Sequence, residues 1–389
     1  MRGIGRPRPL ATLVARYTLY PYYSKRPASR WRAGLFEFEL ERIMETEQDD
    51  LLRGQVEVRR ATVASAPMTL YGHELGPNRR IPLNLDWVDD VRVNTSAVER
   101  RTATIPARRS VKNEWQAAWL LRAIACMDLT TLSGDDSAER VRRLCAKARR
   151  PLQDHIIKAL GIEELHLTTG AVCVYHAFVE TAVKALEGSG IPVAAVSAGF
   201  PAGLSPMTER LDEIRRSVEA GASEIDIVIT RAHVFNGEWN ALYDEVAAFK
   251  EACGPAHMKS ILGTGDLSTL RNVVRASWVV MMAGTDFIKT STGKEAVNAT
   301  LPVSLVMIRA LRDYAERTGM AVGFKPAGGI KTAKQALDWM VTMKDELGRS
   351  WLEPTLFRYG ASSMLGDIER QLEHYVTGRY SATYRHPLA

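Results

Sequence analysis

The sequence predicts a closed (β/α)8 barrel, and three observations carry that prediction. From about residue 120, short apolar runs that end in polar or Gly-rich tips alternate with amphipathic stretches of helical length. Eight such units fill about 250 residues, the usual size of a (β/α)8 barrel. An open doubly wound sheet usually carries a Gly-x-Gly-x-x-Gly turn after its first strand, and the first run here has none.

Each predicted strand is a run of five to seven residues, and the clearest helical stretches lie between the later runs. The eight runs are residues 125–130, 170–175, 193–199, 224–229, 257–262, 286–290, 321–325 and 356–361. Four amphipathic helices are predicted at residues 208–220, 240–252, 267–283 and 301–318. We therefore expect a barrel domain at residues 122–389, preceded at residues 68–121 by a helical segment that packs on the barrel.

The head of the chain, residues 1–67, has a different composition. Its first 36 residues contain eight basic side chains and no acidic one. That composition matches an organellar transit peptide, but an untranslated or disordered extension is the preferred interpretation, with translation beginning at Met44 or Met68. A specific function of the segment is the remaining alternative.

The composition of the chain excludes several classes of protein. Of its 389 residues 46% are hydrophobic and 25% charged, as in soluble globular proteins. No apolar run is long enough for a membrane span. The net charge of +6 lies mostly in the head, so nucleic acid is not an expected partner. The four cysteines are scattered, which favours reduced thiols, a cytoplasmic location and no metal site.

Two lysines each end a predicted strand and are followed by small residues. Lys289 ends the sixth run and Lys325 the seventh. Burial and a neighbouring ammonium both lower the pKa of such a lysine, and a neutral amine can form a Schiff base with a carbonyl. Because catalytic groups of a barrel lie at the carboxyl ends of its strands, we expect both lysines in one pocket.

Two aspartates are expected beside these lysines. Asp226 lies within the fourth run, and Asp128 lies near the end of the first. A buried carboxylate needs a partner, so each could be structural: Asp226 as a hydrogen-bonded core residue, Asp128 as a helix cap. With two lysines at the same face, acid–base catalysis is the preferred interpretation for both.

Glycines and hydroxyls after the last three strands predict a phosphate site. Barrel enzymes often bind phosphate at the loops after strands 7 and 8, where free N–H groups meet the anion. The predicted set is Thr292, Gly293, Gly328, Gly329, Ser362 and Ser363. Three nearby residues are expected to lack a catalytic role, namely Cys173, His176 and His233.

These motifs resemble the deoxyribose-phosphate aldolase family, in its longer, animal-type branch. The resemblance runs from about residue 85 to near the C-terminus. It includes CMDLTTLSGDD at 126–136, AVCVY at 171–175, EIDIVI at 224–229, DFIKTSTGK at 286–294, GFKPAGG at 323–329 and GASS at 360–363.

The resemblance implies a class I aldolase that needs no metal and no cofactor. Such enzymes reversibly cleave 2-deoxy-D-ribose 5-phosphate to acetaldehyde and D-glyceraldehyde 3-phosphate, in the breakdown of deoxyribonucleotides. It implies Lys289 as the Schiff-base nucleophile, Lys325 as the neighbour that tunes it, Asp226 as the proton donor and acceptor, and Asp128 as a supporting acid. The partners would be a small sugar phosphate and an aldehyde; a homo-oligomer is left open.

Some positions depart from the family pattern. His176 replaces an expected Pro, and Gly263 and Asp266 alter the tip of the fifth strand. Tyr384 is a candidate for the family's C-terminal tyrosine, but Arg385 and four further residues follow it, so no role is assigned. Two rival functions remain for the barrel: a lysine-dependent aldolase with a different phosphorylated donor, and a barrel that binds sugar phosphates without catalysis. A third rival is nucleic-acid binding by the basic head, residues 1–67.

Overall fold

Eight parallel strands form one sheet in the computed structural model, which describes residues 68–108 and 111–387. The barrel strands are β4 (Met127–Thr130), β5 (Ala171–Tyr175), β6 (Val193–Ser197), β7 (Glu224–Val228), β8 (His257–Ile261), β9 (Phe287–Lys289), β11 (Gly323–Lys325) and β12 (Tyr359–Ala361). Bridges from Phe324 to Phe357 and from Ala327 to Gly360 join the two edge strands, so the sheet closes. The predicted barrel is confirmed.

Helices follow the strands and pack outside them. The helices are α1 (Leu85–Asp89), α2 (Thr95–Ala103), α3 (Ile105–Arg108), α4 (Asn113–Ala125), α5 (Ala138–Arg149), α6 (Asp154–Leu160), α7 (Val179–Ala185), α8 (Met207–Glu219), α9 (Arg231–Asn236), α10 (Trp239–Cys253), α11 (Leu270–Met282), α12 (Leu301–Thr318), α13 (Ala333–Leu347) and α14 (Ser363–Thr377). The four helices predicted from periodicity are α8, α10, α11 and α12, each within three residues of its predicted bounds.

Local signals explain where these helices begin and end. Thr300 caps α12 by accepting a hydrogen bond from the Val303 N–H, and Gly319 ends the helix at a φ of 69°. Thr332 and Gln335 form a capping box at the start of α13. These two caps fix the residues at which the loops after β9 and β11 end and the following helices begin.

The segment before the barrel contains short strands as well as the predicted helices. These are β1 (Thr69–Leu70), β2 (His73–Glu74) and β3 (Gly76–Pro77). β1 and β2 form an antiparallel pair, and β3 pairs with β10 (Met320–Ala321) in parallel. Strands of two residues leave no periodic signal in a sequence, so this pairing was not predicted.

Residues before the barrel share the core of the barrel itself. Val88 and Leu120 are buried in the same hydrophobic cluster as the strands and outer helices. The Asn78 amide donates to the backbone oxygens of Met281 and Thr285, which ties the segment to the turn between α11 and β9. The predicted head, residues 1–67, lies outside the described residues.

Apolar and charged side chains occupy opposite faces of the barrel strands. In β7, Ile225 and Ile227 belong to the apolar layer between the strands and the helices. Glu224 and Asp226 alternate with them, so their side chains point into the barrel. Since both carboxylates are buried, their charge must be balanced inside the barrel. None of the helices in the described part of the chain has the length and apolar character of a membrane span.

Candidate active site

The two lysines predicted to share a pocket are direct neighbours. β9 pairs with β11 in parallel, and Lys289 lies opposite Lys325 in the register. Side chains at the same register on adjacent parallel strands point to the same side. Both lysines are buried, with 2% of Lys289 and none of Lys325 exposed. The predicted proximity is therefore present.

The two predicted aspartates join these lysines. Oδ2 of Asp226 accepts hydrogen bonds from Nζ of Lys289 at 2.8 Å and from Nζ of Lys325 at 2.7 Å. Lys325 also donates to Oδ2 of Asp128, at 2.5 Å. The helix-cap alternative for Asp128 is wrong, because Ser137 caps the following helix α5. All four predicted residues thus meet inside the barrel.

Three further charged residues complete this group and were missed by the sequence analysis. Lys259 donates to Glu224 at 2.5 Å and to Oδ1 of Asp226 at 3.0 Å. Arg358 donates to Asp128 at 2.6 Å and to Glu224 at 2.9 Å. We call the whole group the ion network: Asp128, Glu224, Asp226, Lys259, Lys289, Lys325 and Arg358.

A signal for all three missed residues was present in the sequence. Glu224 lies two residues before Asp226 in β7, and alternation places both on one face of the strand. Lys259 lies in the middle of β8, opposite Asp226 in the register. A lysine inside a predicted barrel strand needs a buried partner, and that rule could have found it. Arg358 directly precedes β12 but lies inside the eighth predicted run, residues 356–361, so the same rule applied to it.

The ion network keeps its carboxylates ionised. Burial favours the neutral form of Asp226, but Lys259, Lys289 and Lys325 outweigh it and hold the pKa of Asp226 well below its usual value. Burial likewise opposes the charge of Asp128, yet Lys325 and Arg358 lower the pKa of that carboxyl. Both side chains therefore accept protons only transiently near neutral pH.

The pKa of Lys325 moves in the direction opposite to the one predicted from burial. Burial by itself lowers the pKa of this lysine, as expected. Contacts with Asp128 and Asp226 outweigh burial and raise the pKa above the ordinary lysine value. Lys325 is therefore a fixed ammonium beside Lys289. Its position as a neighbouring positive charge is as predicted, but the predicted lowering of its own pKa is wrong.

The balance of charge in the ion network leaves Lys289 as the variable member. Three other cations, Lys259, Lys325 and Arg358, face the three carboxylates. Lys289 is thus the one amine of the network that the three carboxylates do not require as a counter-ion.

A cavity of about 280 Å³ opens above the ion network. Among the described residues of the ion network, Lys289 is the member that lines this cavity. The walls come from the loops after β4, β9, β11 and β12: Thr130, Thr131, Leu132, Ser133, Thr292, Gly293, Lys294, Ala327, Gly328, Gly329, Ile330, Lys331, Gly360, Ala361, Ser362 and Ser363. All six residues predicted to bind phosphate are in this wall.

The predicted phosphate residues form three pairs within the wall, and two of these pairs follow β11 and β12. Gly328 and Gly329 have φ values of 79° and 84°, which other residues rarely adopt. A Cβ on Gly328 would lie 2.7 Å from Asn298, so this glycine also permits a close approach. Ser362 and Ser363 stand at the N-terminal end of α14, where free N–H groups can meet an anion.

Thr292 and Gly293 line the same cavity, but their donors are already engaged. The backbone N–H groups of both residues and the Thr292 hydroxyl donate to the carboxylate of Glu295. The two residues thus lie at the cavity as predicted. Their donors are not free to receive a phosphate, however, because they already bind the Glu295 carboxylate.

Comparison with known proteins decides the family. A model described as DeoC/LacD family aldolase matches residues 122–363. The chain belongs to this family. It is 57% identical to human deoxyribose-phosphate aldolase over 314 residues, which cover 80% of this chain and 99% of the human protein. The mouse deoxyribose-phosphate aldolase is 58% identical over 313 residues, covering 80% of this chain and 98% of the mouse protein.

Solved structures share the fold of this DeoC/LacD aldolase at lower identity. A putative deoxyribose-phosphate aldolase from Toxoplasma gondii has a TM-score of 0.56 and 22% identity, covering 69% of this chain and 99% of its own. One from Coccidioides immitis has a TM-score of 0.53 and 21% identity, covering 72% of this chain and 98% of its own. The family resemblance predicted from the motifs is confirmed.

The remaining candidates of the DeoC/LacD aldolase lie apart from the cavity wall. Cys173 is buried, and burial raises the pKa of its thiol. His176 pairs with Glu213 at 3.2 Å and is half exposed. Tyr384 is 84% exposed. No cluster of three or more His, Cys, Asp or Glu side chains suited to a metal occurs within the described residues.

At the end of the fifth barrel strand, Gly263 replaces a larger side chain and packs closely against Arg231. Gly263 has a φ of 66°, and a Cβ there would lie 2.8 Å from Cδ of Arg231. Asp266 pairs with the same arginine at 3.2 Å. In this DeoC/LacD aldolase, the glycine therefore makes room for Arg231 at the carboxyl end of the barrel.

Proposed function

We propose that this chain is a class I aldolase that reversibly cleaves 2-deoxy-D-ribose 5-phosphate to acetaldehyde and D-glyceraldehyde 3-phosphate. The observation that carries the proposal is the position of Lys289, an amine that faces the cavity and rests on a buried network of fixed charges. The 57% identity to the human deoxyribose-phosphate aldolase supports the choice of substrate.

The first step is attack by the neutral amine of Lys289 on C1 of the open-chain sugar phosphate. A proton moves to the former carbonyl oxygen, and loss of water then gives a protonated imine. Asp226 is proposed to exchange these protons, since its Oδ2 lies 2.8 Å from Nζ of Lys289. Lys325 disfavours a second ammonium beside it and so keeps Lys289 available as a nucleophile.

The second step breaks the bond between C2 and C3 of the sugar. The C3 hydroxyl loses its proton to a base, and its oxygen becomes the aldehyde of glyceraldehyde 3-phosphate. The bonding electrons move into the imine, which becomes an enamine on Lys289. Protonation of the enamine at C2 and addition of water to the resulting imine release acetaldehyde and restore the amine.

The phosphate group is proposed to bind beside the loops that follow β11 and β12. Gly328, Gly329, Ser362 and Ser363 line the cavity there and can present backbone N–H groups and hydroxyls. Lys294 and Lys331 line the same cavity and add positive charge. Binding energy from this remote group would orient C1 toward Lys289.

A small phosphorylated sugar is thus the proposed partner of this chain, in the breakdown of deoxyribonucleotides. The cytoplasmic location, the absence of a nucleic-acid partner and the question of a homo-oligomer stay as predictions from the sequence. Analytical ultracentrifugation of the purified chain answers the last of these directly.

Cleavage assays separate this function from its two rivals. We expect release of acetaldehyde from 2-deoxyribose 5-phosphate, much slower release from unphosphorylated 2-deoxyribose, and acetaldehyde rather than dihydroxyacetone as the donor in the reverse direction. Turnover with dihydroxyacetone alone would indicate the rival aldolase. A folded protein that binds the sugar phosphate without any turnover would indicate the non-catalytic barrel.

The matched variants are Lys289→Leu and Lys334→Leu. Lys289→Leu removes the proposed nucleophile and is expected to abolish turnover. Lys334 is a surface lysine whose side chain is 73% exposed, so its replacement should leave the rate unchanged. Full activity in Lys289→Leu would overturn the assignment.

A further inference from the structure

The carboxylate of Glu295 lies on the donors of the loop that follows β9. The N–H of Thr292 donates to both carboxylate oxygens, at 3.0 and 3.1 Å. The Thr292 hydroxyl donates to Oε2 at 2.7 Å, and the Gly293 N–H donates to the same oxygen at 3.2 Å. The loop therefore folds around this anion with four hydrogen-bond contacts.

The donors of Thr292 and Gly293 that bind Glu295 are not available to a second anion at the same time. The Thr292 hydroxyl gives its single proton to Glu295 and accepts a hydrogen bond from the Lys294 N–H, at 3.0 Å. Its backbone N–H is already shared between the two carboxylate oxygens. An incoming anion could use Thr292 and Gly293 as donors only by taking the place of the carboxylate.

The position of this loop gives the contact a consequence for binding. Thr292, Gly293 and Lys294 all form part of the wall of the cavity that is proposed to hold the substrate phosphate. A carboxylate bonded directly behind this wall repels a phosphate dianion and occupies part of the donors that would receive it. The mechanism described above makes no use of Glu295.

We propose that Glu295 is an internal anion that competes with the substrate phosphate for the donors of Thr292 and Gly293. It is a specificity-determining residue: it lowers the affinity of the cavity for phosphate and leaves the chemistry at Lys289 untouched. This inference rests on the proposed function for the identity of the substrate, but the competition concerns any phosphate dianion in the cavity.

Binding of inorganic phosphate to Glu295→Gln tests the competition without any aldolase turnover. Glutamine keeps the size and one acceptor oxygen but removes the charge. We expect a Kd for inorganic phosphate, measured by isothermal titration calorimetry, about five- to tenfold lower than for the unaltered chain. Glu219→Gln is the matched control, since Glu219 is exposed at the end of α8 remote from the cavity loops, and its Kd should not change.

A second variant distinguishes competition from simple ordering of the loop. Glu295→Ala removes the competing carboxylate altogether, so competition predicts tighter phosphate binding here as well. If Glu295 only orders the loop, both variants bind phosphate equally or more weakly, and that result overturns the proposal.

Steady-state kinetics then connect the competition to the substrate. In Glu295→Gln, the KM for 2-deoxyribose 5-phosphate is expected to fall by a factor similar to that of the phosphate Kd, while KM for unphosphorylated 2-deoxyribose stays constant. Equal changes for both sugars would contradict the proposal. Absence of turnover in the unaltered chain would instead refute the proposed function and leave the calorimetric result valid.

Discussion

Replacing Lys325 by methionine tests how the ion network activates Lys289. Both Nζ atoms bond Oδ2 of Asp226, at 2.8 and 2.7 Å, so they are at most about 5.5 Å apart. At an effective dielectric constant of about 20, two unit charges at that separation repel by about 3 kcal/mol. Loss of the Lys325 ammonium removes this repulsion and leaves the carboxylates short of a partner, which also favours a charged Lys289.

This magnitude sets the expected shift of the pH–rate profile. One pH unit corresponds to about 1.4 kcal/mol, so the acid limb of kcat/KM should move upward by about two units in Lys325→Met. The measurement is kcat/KM for 2-deoxyribose 5-phosphate across pH, with the pH dependence of borohydride trapping as a second reading where turnover is too slow. The rate at neutral pH should fall by about a hundredfold if the shift is the whole effect.

Lys325→Arg is the control, because it keeps the charge while it changes the length and shape of the group. Its acid limb should stay near that of the unaltered chain even where its rate falls. An acid limb that does not move in Lys325→Met, or that moves to lower pH, would refute the electrostatic role of Lys325.

Three further outcomes follow from the ion network and the cavity. The pKa values of the network carboxylates are lower in the folded than in the unfolded chain, so the unfolded chain takes up protons first as the pH falls. The free energy of unfolding should therefore keep its highest value above about pH 4.5 and decrease below it. Urea titrations at several pH values measure this, and a constant free energy down to pH 3 would contradict it. Lys259→Met should lower the free energy of unfolding by about 3–5 kcal/mol, because it leaves buried carboxylates unpaired. Lys250→Met removes a single pair that is only partly buried and should cost less, about 1 kcal/mol. Equal losses would count against a tightly balanced network. Gly328→Ala and Gly329→Ala share the strain of a positive φ, but only Gly328→Ala brings a Cβ to 2.7 Å from Asn298. Gly328→Ala should therefore raise the KM for the phosphorylated sugar more than Gly329→Ala does. A larger KM in Gly329→Ala would indicate that the phosphate binds elsewhere.

The barrel could be predicted because its signals are local. Each strand was a short apolar run with a polar tip, and four of the outer helices had a clear periodicity of their own. The meeting of Lys289 and Lys325 followed from strand order alone, since neighbouring parallel strands bring their ends together. These parts of the site needed no knowledge of side-chain contacts.

The rest of the ion network could be derived only in part from local signals. Lys259 and Arg358 lie inside predicted strand runs, which indicates that each needs a buried partner, but those partners come from strands far away in the sequence. The raised pKa of Lys325 depends on two carboxylates and their distances, and burial alone predicts the opposite shift. Glu295 was missed because its hydrogen bonds to the backbone depend on how one loop folds.

Mapping the site of covalent trapping shows which lysine forms the Schiff base. The chain is incubated with acetaldehyde, reduced with borohydride, digested and analysed by mass spectrometry for an ethylated lysine. We expect the modification on Lys289, the amine that faces the cavity, and its loss in Lys289→Leu. Modification of Lys325 or Lys259 instead, or no modification of any lysine in an active enzyme, would contradict it.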